Sequence, residues 1–270
     1  MVFFFHNHYL FIYLIAFART NDNIKLWVYM EQKKIDEERV RQLYNQMSDI
    51  WPADDKWYTY THQRIIEYIN RFAKENGISG SSKVINIGSA GNEYGLPGTH
   101  YHVDIAEERI KHCAHYVVCS AEHLPFPDNY FDVGLCVGAV INYCDPLPVI
   151  AEISRVLKPG AKLVLDYDQS RSYEFIGSCY NHNAHIIDTF NSGETDSVWV
   201  FSEKLITSYC KMHGLKISNR EYYHLLTPLI YRICKDEEKA ASYVWADKIM
   251  RYIPFLNRIS CNIILTLTKH

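Results

Sequence analysis

Residues 84–104 read VINIGSAGNEYGLPGTHYHVD, and this stretch decides the fold. Val84, Ile85 and Ile87 form a short apolar run that enters a turn of small residues, Gly88-Ser89-Ala90-Gly91. Tyr101, His102 and Val103 then lead to an acid, Asp104. An apolar strand, a small-residue turn and a second strand ending in a carboxylate open a parallel α/β sheet. Small residues at the turn let a ligand approach the backbone, whose N–H groups can hold a carboxylate or phosphate. Asp104 can accept both hydroxyls of a ribose, or it can cap a helix, since Ala106-Glu107-Glu108 follows.

Working outward, strands are expected at 83–87, 100–104, 115–119, 131–137 and 161–167, with helical or loop segments at 105–113 and 146–157 between them. After residue 170 come an irregular stretch, a helix near 202–213, a strand near 215–222, helical sequence to about 252 and a last strand at 260–268. The expected fold is a single Rossmann-like, doubly wound sheet, mostly parallel with an antiparallel last strand. Helices at 31–48 and 61–76 place an N-terminal helical cover over residues 30–80. In the second of them Ile65, Ile66, Ile69 and Phe72 recur at helical spacing and Gly77 stops the run. Asp104 lies only 16 residues after Gly88. Gly95, Pro97 and Gly98 break that interval, so a helix of ordinary length cannot fit between the first two strands. The N-terminal helices are then the nearest cover for that face.

Composition narrows the function. Lys and Arg number 28 against 31 Asp and Glu, a net charge of −3, which excludes the basic surface of a dedicated nucleic-acid binder. Eight cysteines are scattered with no C-x-x-C pair, which argues for reduced thiols in a cytoplasmic protein and against a zinc or disulfide framework. The denser spots His112-Cys113-His115 and Cys179, His182, His185 do not match common ligand spacings, so no metal is expected. Residues 2–18 carry no charged side chain. The run is short for a membrane span and has no basic start for a signal peptide, so residues 1–29 are expected to be an apolar extension outside the domain, with membrane association open.

Two further motifs follow in order. Ser120-Ala121-Glu122-His123-Leu124-Pro125-Phe126-Pro127-Asp128 runs on to Phe131-Asp132, and Arg155-Val156-Leu157-Lys158-Pro159-Gly160 precedes the fifth strand. With the two strand ends above, this order and spacing resembles the class I S-adenosylmethionine (SAM)-dependent methyltransferases, in particular the small-molecule type. The resemblance is firm over about residues 83–167, within a domain expected at 81–270. It implies SAM as cofactor and a small organic methyl acceptor. Gly88, Ser89 and Ala90 would wrap the methionine part, and Asp104 with Ile105 would hold the ribose and flank the adenine. Ala121 and Glu122 would edge the adenine ring, Cys136 and Val137 would lie beneath the sulfonium, and Pro159-Gly160 would be architectural.

The chain departs from the family pattern in three places. Asn86 stands where an acid is usual, Gly88-Ser89-Ala90 replaces G-x-G, and Gly138-Ala139-Val140-Ile141-Asn142-Tyr143 lacks the histidine pair many relatives carry. Weak candidates for a base are Tyr60 and His62, with Tyr58 beside them as a possible sulfonium contact; the alternative is that these rings only pack the helix. The acceptor cover is expected at 171–200 and 222–258. A nicotinamide oxidoreductase is excluded by the missing G-x-G-x-x-G. A non-catalytic SAM-binding scaffold or sensor is the second reading, since Asn86 and the absent histidines are losses such a protein could show.

Overall fold

The computed structural model describes residues 35–191, 194–250, 253 and 259–270. The apolar run at 2–18, and with it the expected extension 1–29, lies outside the described residues. Two helices come first, α1 (Glu37–Gln46) and α2 (Lys56–Glu75). The sheet is then built from β1 (Lys83–Ile87), β2 (Thr99–Asp104), β3 (Tyr116–Val118), β4 (Phe131–Cys136) and β5 (Leu157–Asp168). A single turn of helix, α3 (Glu107–Ile110), links β2 to β3, and α4 (Pro146–Val156) links β4 to β5. A hairpin, β6 (Ala184–Asn191) and β7 (Glu194–Phe201), follows. The chain closes with α5 (Glu203–Met212), β8 (Leu215–Tyr223), α6 (Thr227–Cys234), α7 (Glu237–Ala241), α8 (Val244–Met250) and β9 (Asn262–Lys269).

The seven-stranded sheet has the order β3-β2-β1-β4-β5-β9-β8, and β9 runs antiparallel to both its neighbours while β1 to β5 are parallel. The expected antiparallel last strand is therefore present, inserted beside β5. Period-two alternation sorts the apolar residues onto two faces. Ile85, Ile87, Leu163 and Leu165 meet Val149, Ile150 and Ile153 of α4 and Ile206 of α5 on one side. Val84, Val133, Leu135 and Val164 meet Ile65, Tyr68, Ile69 and Phe72 of α2 on the other. The spacing that predicts α2 is thus its core-facing stripe.

Three expectations need correction. Helix α2 begins at Lys56, five residues earlier than expected, because the Asp55 carboxylate accepts the N–H groups of Trp57 and Tyr58 and caps the helix there. Trp57, Tyr58 and Tyr60 are consequently helical. Asp36 caps α1 in the same way, accepting from Arg39, so the described helix starts at 37. The stretch after 170, expected to be irregular, contains the β6–β7 hairpin, in register from Ala184 opposite Phe201. Between Gly91 and His100 there are only turns, as the glycines and Pro97 require.

The segments before β4 and β5 that carry the two motifs brace one another. Arg155 donates to Glu152, Asp128 and the carbonyl oxygens of Leu124 and Phe126, and the Glu152 carboxylate accepts the Leu124 N–H at 2.9 Å. Leu124 to Asp128 is thereby clamped to the end of α4, an architectural role for both motifs.

Candidate active site

The turn after β1 is held by its backbone. The N–H of Gly88 donates to the Val103 carbonyl at 2.7 Å, and Gly88 has φ +60°. A Cβ there would sit 2.4 Å from the methyl groups of Val140, so the position admits only glycine without rearrangement. Ala90 is also left-handed, φ +43°, and its N–H donates to Oδ2 of Asp104 at 2.9 Å. Oδ1 of Asp104 accepts the Ala106 N–H at 2.9 Å. Each carboxylate oxygen keeps acceptor capacity for a further donor. Asp104 therefore ties the residue that precedes α3 to the β1 turn, and it lines the crevice. Its burial raises its pKa, against the lowering by those N–H groups.

A cavity of about 120 Å³ opens at the carboxyl ends of β1, β2 and β4. Gly88, Ala90, Asp104, Ile105, Ala121 and Val137, six of the donor-site candidates, line it. Three expected contacts do not. Ser89 turns inward, 1% exposed, with its hydroxyl on Nδ1 of His102 at 3.0 Å. Glu122 uses its carboxylate to accept the Asp145 N–H at 2.8 Å. Cys136 points into the core against α4, where burial pushes its thiol up to about 12. The two candidate bases are also elsewhere. Tyr60 is buried edge-on against His224, and His62 stacks on Trp51 at 4.8 Å and an interplanar angle of 7°. Neither lines the cavity. Tyr58 does.

A second, larger cavity of about 480 Å³ adjoins the first, and both have Tyr44, Trp51, Tyr58, Gly138 and Tyr143 in their walls. Its far side is made by Phe175, the hairpin residues Ile187, Val198 and Val200, and Tyr231. Its polar groups include Asn142, Asp168, Glu174 and Asn262. Burial, with Asp166 and Glu174 adding, pushes the Asp168 carboxyl up to about 7, while Asn262 donates a hydrogen bond to it. The floor between the cavities is fixed by Asp166. Its Oδ1 accepts the N–H groups of Gly138 and Ala139, each at 2.7 Å, and Tyr223 donates its hydroxyl to Oδ2. Asn142 joins the roof to the floor, donating to the carbonyls of Asp168 and Trp199 and accepting the Asp168 N–H at 3.0 Å.

A family model described as a methyltransferase domain matches residues 80–165, the segment that carries this crevice. Those residues are a class I methyltransferase domain. The methyltransferase domain has curated relatives of matching description. The ubiquinone/menaquinone biosynthesis C-methyltransferase of Erwinia tasmaniensis is 31% identical over 99 residues, 36% of this chain and 39% of that protein. Its counterpart in Cupriavidus pinatubonensis is 43% identical over 53 residues, 19% of this chain and 22% of that protein. The demethylmenaquinone methyltransferase of Anoxybacillus flavithermus is 27% identical over 154 residues, 50% of this chain and 63% of that protein. The matches thus span from about a fifth to under two thirds of these relatives' length. Solved structures extend the likeness in fold. The 1,6-didemethyltoxoflavin-N1-methyltransferase of Burkholderia thailandensis superposes with a TM-score of 0.54 at 12% identity, covering 86% of each chain. The [4+2]-cyclase SpnF does so at 0.56 and 17%, covering 87% of this chain and 97% of that one. A cyclase among the neighbours shows that the fold alone does not fix the reaction.

Several wall residues of the crevice lie outside residues 80–165 and escape sequence reasoning. Glu37, Val40 and Tyr44 come from α1, and Trp51 from the turn after it, where nothing in the local pattern marks a ligand wall. Asp166 and Asp168 did carry a signal. They are acids at the carboxyl end of a strand, where open α/β sheets place their sites.

Proposed function

We propose that this chain transfers a methyl group from SAM to a small, partly aromatic organic acceptor. The observation that carries the reading is the pair of adjoining cavities with common walls, one ending in the Asp104 carboxylate and the other in Asp168. The smaller fits the donor: Asp104 has acceptor capacity for a ribose diol, Gly88 and Ala90 bring backbone close to the methionine part, and Ile105 and Ala121 offer apolar walls to the adenine. Bound there, SAM supplies an electrophilic methyl carbon on a good leaving group. Trp51, Tyr58 and Tyr143 stand where the two cavities meet, so their rings would exclude water from the transfer and face the cationic sulfur.

Positioning supplies most of the rate in such a displacement. Asp168 is assigned the proton, where the acceptor must lose one, because a carboxyl with a pKa of about 7 is half ionised at neutral pH. The larger cavity's Tyr44, Trp57, Phe175 and Tyr231 suit a flat, amphipathic ring. The names of the relatives, which place them in ubiquinone and menaquinone biosynthesis, favour the same acceptor class.

Calorimetry with SAM and S-adenosylhomocysteine tests donor binding. Incubation with methyl-labelled SAM and a panel of phenols, hydroquinones and heteroaromatic amines tests transfer. Binding without label in any acceptor, across that panel and a small-molecule cell extract, would return the sensor reading.

A further inference from the structure

The loop between β1 and β2 carries a second group of polar side chains, on the far side of the turn from the crevice. His100 and His102 alternate on one face of β2, and Glu93 reaches them from the loop. One donor atom from each of the three lies within 4.8 Å of the others, and His102 Nε2 is 3.5 Å from Glu93 Oε1. Both histidines are buried, 5% and 2% exposed.

Their hydrogen bonds leave the right nitrogens available. Nε2 of His100 lies 2.8 Å from the Leu96 carbonyl oxygen, which can only accept, so Nε2 carries the proton and Nδ1 holds a lone pair. That Nδ1 is buried and has no hydrogen-bond partner. Such an atom costs free energy unless something satisfies it. Nδ1 of His102 lies 3.0 Å from Ser89 Oγ, which can accept its proton and leave Nε2 free toward Glu93. Histidines that give one N–H to a carbonyl or hydroxyl and turn the other nitrogen inward are oriented as metal ligands usually are.

We propose that His100 Nδ1, His102 Nε2 and Glu93 bind a divalent transition-metal ion of the zinc type. Two imidazoles and a carboxylate form a known zinc donor set, completed by water. Zinc ligands at about 2.0–2.2 Å from the metal require only modest closing of the present spacing.

The ion would act as a brace. The β1–β2 connection has no helix to hold it, and the three ligands join Glu93 in that loop to the strand it leads into. Through Ser89 the same ligand set reaches the turn that carries Gly88 and Ala90. The site thus lies behind the donor crevice and uses none of its lining residues.

The test uses the full chain, stripped with a chelator and titrated with zinc(II) against a chromogenic competitor. One equivalent should bind, the melting temperature should rise with zinc, and cobalt(II) in its place should give the absorption of a tetrahedral N/O site. Glu93→Gln alters an exposed side chain and should fold; it should lose at least about tenfold in zinc affinity, as should Ser89→Ala through the His102 ring. His100→Gln should abolish binding; should that variant fail to fold, Glu93→Gln and Ser89→Ala decide. A chain that takes up no zinc overturns the site. So does one whose affinity and cobalt spectrum are unchanged in both Glu93→Gln and Ser89→Ala.

Discussion

Oδ2 of Asp104 accepts the N–H of Ala90 at 2.9 Å, so the acid ending β2 fixes the turn that follows β1. On the proposed reading, grip on SAM and the shape of the β1 turn depend on the same carboxylate. Asp104→Asn would either turn an amide N–H against the Ala90 N–H or give up the Ala106 bond. A charge-assisted hydrogen bond contributes about 1.5–3 kcal/mol. SAM affinity should therefore fall by about 10- to 100-fold in a chain that still folds. Calorimetry reads it, and an unchanged Kd would remove Asp104 from the donor site.

The contact between Gly88 and Val140 gives a second prediction. Gly88→Ala places a methyl group 2.4 Å from Val140 and forces alanine to φ +60°. Left-handed strain of about 1–2 kcal/mol and overpacking of about 1–3 kcal/mol should lower stability and narrow the crevice. Adding Val140→Ala should relieve the overpacking and leave the strain. Thermal melts of the two single variants and the double variant form the cycle; strict additivity would contradict the contact.

Asp168 titrates where activity can report it. If it takes the acceptor's proton, turnover should rise with pH through about 7. Asp168→Asn should lose that limb and fall by about 10²-fold or more. A wild-type profile in the variant would remove the base assignment.

The same carboxyl shapes stability. Its folded pKa of about 7 stands above the ordinary carboxyl value of 3.8, so between those values the folded chain holds a proton that the unfolded chain has released. Its contribution to stability must then decline as pH rises from about 4 to about 7. Asp247, pushed up to about 6 by burial, declines over part of the same window. Asp168→Asn should flatten the Asp168 share and leave that of Asp247. Urea melts across this range compare the two slopes, and equal slopes would contradict the assignment.

His62 supports packing. Its ring stacks on Trp51, and an aromatic pair of this kind contributes about 0.5–1.5 kcal/mol. His62→Ala should cost about that much and leave the pH profile of turnover in place, whereas His62→Phe should restore most of the stability. A shift in the profile with either variant would reinstate His62 as a base.

The sheet was legible because its strands are short apolar runs punctuated by glycine and proline, and the donor crevice because its residues sit at the ends of those runs. Of the residues expected at the donor site, Gly88, Ala90, Ala121 and Val137 line the crevice through backbone or small side chains. Ser89, Glu122 and Cys136 do not line it, since whether a side chain faces the crevice or the interior depends on the partners it finds. The hairpin was missed although Ile187 and Thr189 fit a strand, because its strands alternate polar and apolar residues only in part. Trp51 and Tyr44 reach the crevice by tertiary packing, which no local pattern encodes. The His100–His102 pair was passed over because its third member comes from a loop seven residues back.

Asn142 has a practical consequence for exchanging acceptor pockets among related chains. One amide contacts the ends of β5 and β7, yet it belongs to the loop after β4. A transplant of residues 171–200 alone would separate the hairpin from the side chain that seats it. The unit to move runs from Gly138 to Phe201, and it includes the Gly138 and Ala139 amides bound by Asp166. On the proposed reading, the acceptor pocket and the floor of the donor crevice are one unit in this chain.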